Sequence, residues 1–153
     1  MFGYVDQSAS IQNVFLVTQY NKDGYSFKVQ RETSPTANVS VYGGVLAGYS
    51  KGNIYNCAVA GYYLAQKNKS DGTIYGFANS KLYFGGLVGY NEGTITNTSA
   101  DNPKLNLQMH DAQCYAGGFV GYNNGTINNC YALAHISSNA TGGKTIIAGF
   151  NAY

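Results

Sequence analysis

The sequence predicts an all-β protein, a right-handed parallel β-helix (β-solenoid) of about four to five coils with hairpin insertions. Three observations point there. One Gly- and Asn-rich phrase recurs along the 153 residues, apolar residues hold fixed places inside it, and its intervals vary while the phrase does not. A constant unit at uneven spacing reads as a stacked repeat carrying insertions.

Residues 44–57 read G-V-L-A-G-Y-S-K-G-N-I-Y-N-C, residues 85–98 read G-G-L-V-G-Y-N-E-G-T-I-T-N-T, and residues 117–130 read G-G-F-V-G-Y-N-N-G-T-I-N-N-C. A degenerate copy occupies 2–14, where Phe2-Gly3-Tyr4 and three extra residues precede Ile11-Gln12-Asn13-Val14. A last copy, 147–153, begins Ile147-Ala148-Gly149-Phe150-Asn151. With the glycine before the aromatic as marker, Gly3, Gly48, Gly89, Gly121 and Gly149 stand 45, 41, 32 and 28 residues apart, so one turn needs no more than about 28 residues. All of 1–153 reads as one repeat domain, a piece of a longer protein.

Stacking these copies aligns Leu46, Leu87, Phe119 and Ile147 as one apolar column and Ile11, Ile54, Ile95 and Ile127 as another. The Asn-x-Gly steps at 91–93 and 123–125, with Ser50-Lys51-Gly52 as a variant, are turn chemistry, since Asn and Gly tolerate positive φ. Asn13, Asn56, Asn97 and Asn129 also align, and amides stacked along an axis hydrogen-bond as a ladder. The marker glycine inside an apolar strand signals close backbone approach. No segment shows helical apolar spacing.

Composition agrees. Charged residues make up 10% of the chain, against ~25% in ordinary soluble domains. Twenty Gly and 15 Tyr accompany many Asn, Ser and Thr, which suits turns and strands over surface helices. A net charge of +2, with scattered Lys and Arg, argues against nucleic acid. No apolar run is long enough to insert in a membrane.

Insertions follow the Ile-x-Asn strand and are where a ligand would be met. Residues 15–38 read as a hairpin, Phe15 to Tyr20, a turn at 21–24, then Tyr25 to Val29. Residues 61–77 repeat that grammar around a turn at 67–72, while 99–112, with Pro103, reads as a plain loop. Tyr20, Tyr25, Phe27, Tyr62, Tyr63, Tyr75 and Phe77 would form an aromatic ledge for a host or bacterial glycan or protein, or else pack on the flank and thicken the core.

Catalysis finds little support. Glycoside hydrolysis needs two facing carboxylates, but Asp6, Asp23, Glu32, Asp71, Glu92, Asp101 and Asp111 fall mostly in turns and insertions. His110 and His135 read as solvated loop residues without ligand spacing, and no metal or cofactor is expected. Cys57 and Cys130 share a column with Thr98 between them, roughly 9.6 Å apart at two strand spacings. That exceeds the ~7 Å a disulfide allows, so both read as free thiols, and Cys114 has no evident partner. Thr94, Thr96 and Thr126 hint at an ice-binding array that Asn53, Tyr55 and Asn128 interrupt.

The stretch G-G-L-V-G-Y-N-E-G-T-I at 85–95, and residues 117–132 ending Asn129-Cys130-Tyr131-Ala132, resemble the GLUG motif of bacterial surface proteins. Val45 departs from it by replacing the second glycine. The resemblance implies a secreted or cell-surface bacterial protein and carries over no catalytic residue. The expected role is a non-catalytic, adhesin-like binding or spacer module. The alternative is an accessory solenoid of an exported enzyme such as an immunoglobulin-A-type metallopeptidase. Open terminal strands would favour end-to-end self-association.

Overall fold

The structure, a computed structural model, describes residues 1–17, 27–30, 39–61, 63–67, 80–110 and 112–152. The chain opens with β1 (Phe2–Val5), β2 (Ser10–Gln12), β3 (Phe15–Val17) and β4 (Phe27–Gln30). A second pass runs β5 (Ser40–Gly44), β6 (Ala47–Ser50), β7 (Asn53–Tyr55), β8 (Ala58–Ala60) and β9 (Tyr63–Lys67). The third holds β10 (Lys81–Gly85), β11 (Val88–Asn91), β12 (Thr94–Thr96) and β13 (Ser99–His110). The fourth holds β14 (Gln113–Gly117), β15 (Val120–Asn123), β16 (Thr126–Asn128) and β17 (Tyr131–Thr141), and β18 (Lys144–Ala148) follows.

Among the described residues every strand pairing is parallel, and every one joins different passes of the chain. Four sheets result: β1-β6-β11-β15, β5-β10-β14-β18, β2-β7-β12-β16, and a fourth in which β3, β8, β13 and β17 are joined by β4 and β9. Each pass visits the sheets in the same order. Like therefore meets like: Ile11, Ile54, Ile95 and Ile127 pair in one file, as do Tyr4, Tyr49, Tyr90 and Tyr122.

The interior has two parts. Leu46, Leu87, Phe119 and the isoleucine file fill the first, with Val59 and Ala100 of the fourth sheet. Leu82, Phe84, Cys114 and Ala116 meet Leu105 and Leu107 of β13 in the second. Burying each large apolar side chain contributes about 1.5–3 kcal/mol, so the files are the main cohesive element.

Several expectations change. The segment 99–112, expected as a loop, is the long strand β13, paired with β17 through a register shift between Asp101 and Lys104. Pro103 lies at that irregularity, where its missing N–H costs the ladder least. Beyond it Leu105 and Leu107 are buried and Asn106 is partly exposed, a strand alternation that a turn residue obscured. His110 and His135, expected in loops, belong to β13 and β17.

The hairpins also differ. β3 pairs with β8 and β4 with β9, all in parallel, so the described parts of the first insertion extend the fourth sheet across passes. β9 likewise pairs with β13 at Tyr63–Lys104 to Gln66–Leu107. The expected turns at 21–24 and 68–72 lie outside the described residues, whereas Lys67, the first residue of the second expected turn, ends β9. A neighbouring pass already in register offers each strand a ready partner.

The final copy is phased differently. Gly117 pairs with Ala148 and Val120 bridges Asn151, so Gly149 stands opposite Gly118 and not Gly121. Phe150, not Ile147, continues the column of Leu46, Leu87 and Phe119, and its ring stacks on Phe119 at 4.8 Å. Ile147 pairs with Ala116. The last interval is thus the 31 residues from Gly117 to Ala148, longer than the inferred 28. In the first copy the extension is the turn Asp6–Ala9 in place of Lys51–Gly52, two residues more where three were expected.

Candidate functional site

Of the aromatic ledge residues, Tyr20, Tyr25, Tyr62, Tyr75 and Phe77 lie outside the described residues. Phe27 and Tyr63 have described backbone only. They start β4 and β9, where Phe27 pairs with Leu64 and Tyr63 with Lys104.

Two other constructions stand out among the described residues. At the corner between the third and fourth sheets, Asn13, Asn56, Asn97 and Asn129 take φ of 58°, 50°, 51° and 50°. The chain passes there from one sheet into the next, and Asn is the side-chain-bearing residue most tolerant of that left-handed backbone. All four are exposed. The Asn56 amide donates to Asn13 Oδ1 and the Asn129 amide to Asn97 Oδ1, each at 2.6 Å. The positive φ therefore falls on the ladder asparagines, whereas Asn91 and Asn123 of the Asn-x-Gly steps stay in strands. Asn91 Nδ2 donates to Asn123 Oδ1 at 2.8 Å and to Gly93 O at 3.2 Å, and its Oδ1 accepts from the Gly93 N–H.

This predicts a graded response at Asn97. Alanine loses the ladder bond and strains the backbone, for a loss of about 2 kcal/mol. Glycine loses only the bond, about 1 kcal/mol, because φ of 51° is free to it. Urea unfolding of both variants checks this, and equal losses would show that the backbone carries no strain there.

The second construction is a pair of tyrosine columns between the first two sheets. Tyr4, Tyr49, Tyr90 and Tyr122 stack at 5.5, 5.0 and 4.8 Å between centroids. Tyr42, Tyr83 and Tyr115 stack at 5.2 and 5.4 Å, within 9° of parallel. Edge contacts knit the columns together: Tyr42–Tyr49 at 5.2 Å, Tyr83–Tyr90 at 5.1 Å and Tyr115–Tyr122 at 5.5 Å. Each such pair adds about 0.5–1.5 kcal/mol beyond its buried area.

Sequence reading missed these columns, yet a signal was present: tyrosines seven apart at 42/49, 83/90 and 115/122. Because the faces pack on one another, they are spent within the columns, and Tyr83 is itself buried. That makes a bracing wall, poor as a stacking platform. Three of its hydroxyls, those of Tyr49, Tyr83 and Tyr90, are held protonated beyond the ordinary phenol range. Burial, then the neighbouring Tyr42 and Tyr90, push Tyr83 up to about 12. Burial and then Glu92, which accepts from the Tyr49 hydroxyl, push Tyr49 up as well. That hydrogen bond and Lys51, 3.3 Å away, hold Glu92 below its ordinary range.

The cysteines are free. The Cys57 N–H donates to Thr98 Oγ1 at 3.3 Å, while Thr98 Oγ1 donates to Thr96 O at 2.9 Å. Cys114 lies in the second core, and burial pushes its thiol up to about 12, leaving it an inert apolar filler. Among the described residues no group of three or more His, Cys, Asp or Glu gathers to hold a metal.

Between Phe15 and Tyr131 a groove of about 310 Å³ runs along the asparagine corner. No curated protein and no solved structure matches the chain. The model of the GLUG motif matches residues 82–106 and 112–139, which are the third and fourth passes from β10 and β14 into β13 and β17. The chain thus carries two GLUG repeats, each one pass long, in register along all four sheets.

Proposed function

We propose that the chain is a segment of a right-handed parallel β-solenoid that serves as a non-catalytic, adhesin-like binding and spacer module of an exported bacterial protein. The GLUG repeats support placement in a surface or secreted protein. The observation that carries the module reading is the register: the same apolar file, asparagine corner and tyrosine columns recur in successive passes. Such a stack is stiff, since the second, third and fourth passes are paired to one another along all four sheets. It holds whatever its insertions or corners present at a fixed distance and angle.

The test is an in-frame swap in the producing bacterium, with residues 1–153 replaced by a flexible Gly/Ser linker. Antibody labelling of intact cells is expected to find the protein outside in both strains. Attachment to surfaces is expected to fall at least tenfold with the linker. Unchanged attachment, or labelling only after lysis, would reject the module reading.

A further inference from the structure

We propose that the asparagine corner is the recognition groove for a neutral glycan chain lying across the passes. This rests on the binding-module reading and names the ligand class and the surface. The groove of about 310 Å³ is at the lower end of small-ligand sites. Asn56, Asn97 and Asn129 line it, each thrown outward by its left-handed backbone and each exposed.

An amide carries two N–H groups and two acceptor lone pairs, and a ladder link uses one of each. Every rung therefore keeps donor and acceptor capacity for a hydroxyl, repeated at ~4.8 Å, close to the length of a sugar ring. The adjoining row of the fourth sheet reads Phe15, Ala58, Ser99, Tyr131 in register. Two exposed aromatics, at 63% and 55%, bracket two small residues. That leaves a notch three strand steps long, ~14 Å, with an apolar ring at each end.

The chemistry selects among partners. Among the described residues the lining holds no carboxylate, Lys, Arg or His, which gives a phosphate, an acidic peptide or a basic peptide nothing to pair with. A peptide adding as a strand needs an unpaired sheet edge, and this corner presents side chains of paired strands. The tyrosine columns spend their faces on each other, whereas Phe15 and Tyr131 do not stack with those columns. Polyhydroxylated rings with apolar C–H faces fit both features.

Calorimetric titration of the intact chain with cellohexaose, mannohexaose and chitohexaose tests this. At least one is expected to bind, and Phe15→Ser with Tyr131→Ser is expected to weaken it about tenfold, with Tyr131→Phe restoring part of the loss. In the wild-type chain the side-chain amide resonances of Asn97 should shift on titration, a readout independent of any variant's folding. Binding by none of the three, or affinity unchanged in the double variant, overturns the groove. Weakening by Tyr63→Ser with Tyr75→Ser instead would move the site to the insertions, overturning the groove while leaving the binding-module reading in place.

Discussion

Gly89→Ala is expected to destabilise the protein by about 3 kcal/mol, while Gly3→Ala in the same marker column costs less than about 0.5 kcal/mol. A Cβ at Gly89 would lie 2.6 Å from Gly48 O, 2.7 Å from Tyr83 O and 2.8 Å from Gly43 N. All three are backbone atoms of paired strands, so none can swing aside as a side chain would. Relief requires β6 to shift against β11 within the first sheet and the second sheet to move away from it, loosening the tyrosine contacts that close this corner. At Gly3 a Cβ meets nothing within 4 Å, although Tyr4 beside it belongs to the same column. Urea denaturation of the two variants separates crowding from the general cost of replacing glycine. Similar losses at both would rule out close approach as the reason for the marker.

Alkali is expected to unfold the protein cooperatively between pH 10 and about 12, with Tyr83 and Tyr90 ionising in the same step. Tyr83 is raised to about 12, first by burial and then by Tyr42, Tyr90, Tyr115 and Tyr122. Tyr90 is raised by burial, then by Glu92. A phenol whose folded pKa lies above its unfolded value of ~10 adds stability that is complete below pH ~10. The contribution disappears as pH climbs through the folded value. Phenolate absorbance and circular dichroism recorded together read this out. Uniform titration near pH 10 with the fold intact would mean the columns are solvated.

What the amino acids disclosed depended on the distance over which each feature acts. Ile54, Ile95 and Ile127 were readable because a file needs one residue type at one offset in every copy. The asparagine corner was readable for the same reason, although its positive φ was assigned one turn too early. Pro103 hid β13, because a breaker is a local sign, whereas Leu105 and Leu107 are held by Leu82 and Phe84 from another sheet. Asn21-Lys22-Asp23-Gly24 has the grammar of a hairpin, but β3 and β4 found partners in the next pass. Gly149-Phe150 echoed the marker, and only pairing with Gly118 and Phe119 corrects its phase. The tyrosine columns were missed because aromatics were sought in the insertions, where exposure was expected.

Equal register has a genetic consequence. Gly85 and Gly117 occupy the same place in consecutive passes, with matching neighbours Val88 and Val120, Ile95 and Ile127. Recombination between the DNA encoding those two points would delete or duplicate a whole unit and still join compatible halves at the splice. Length can then drift by whole units over generations without any new interior having to be invented.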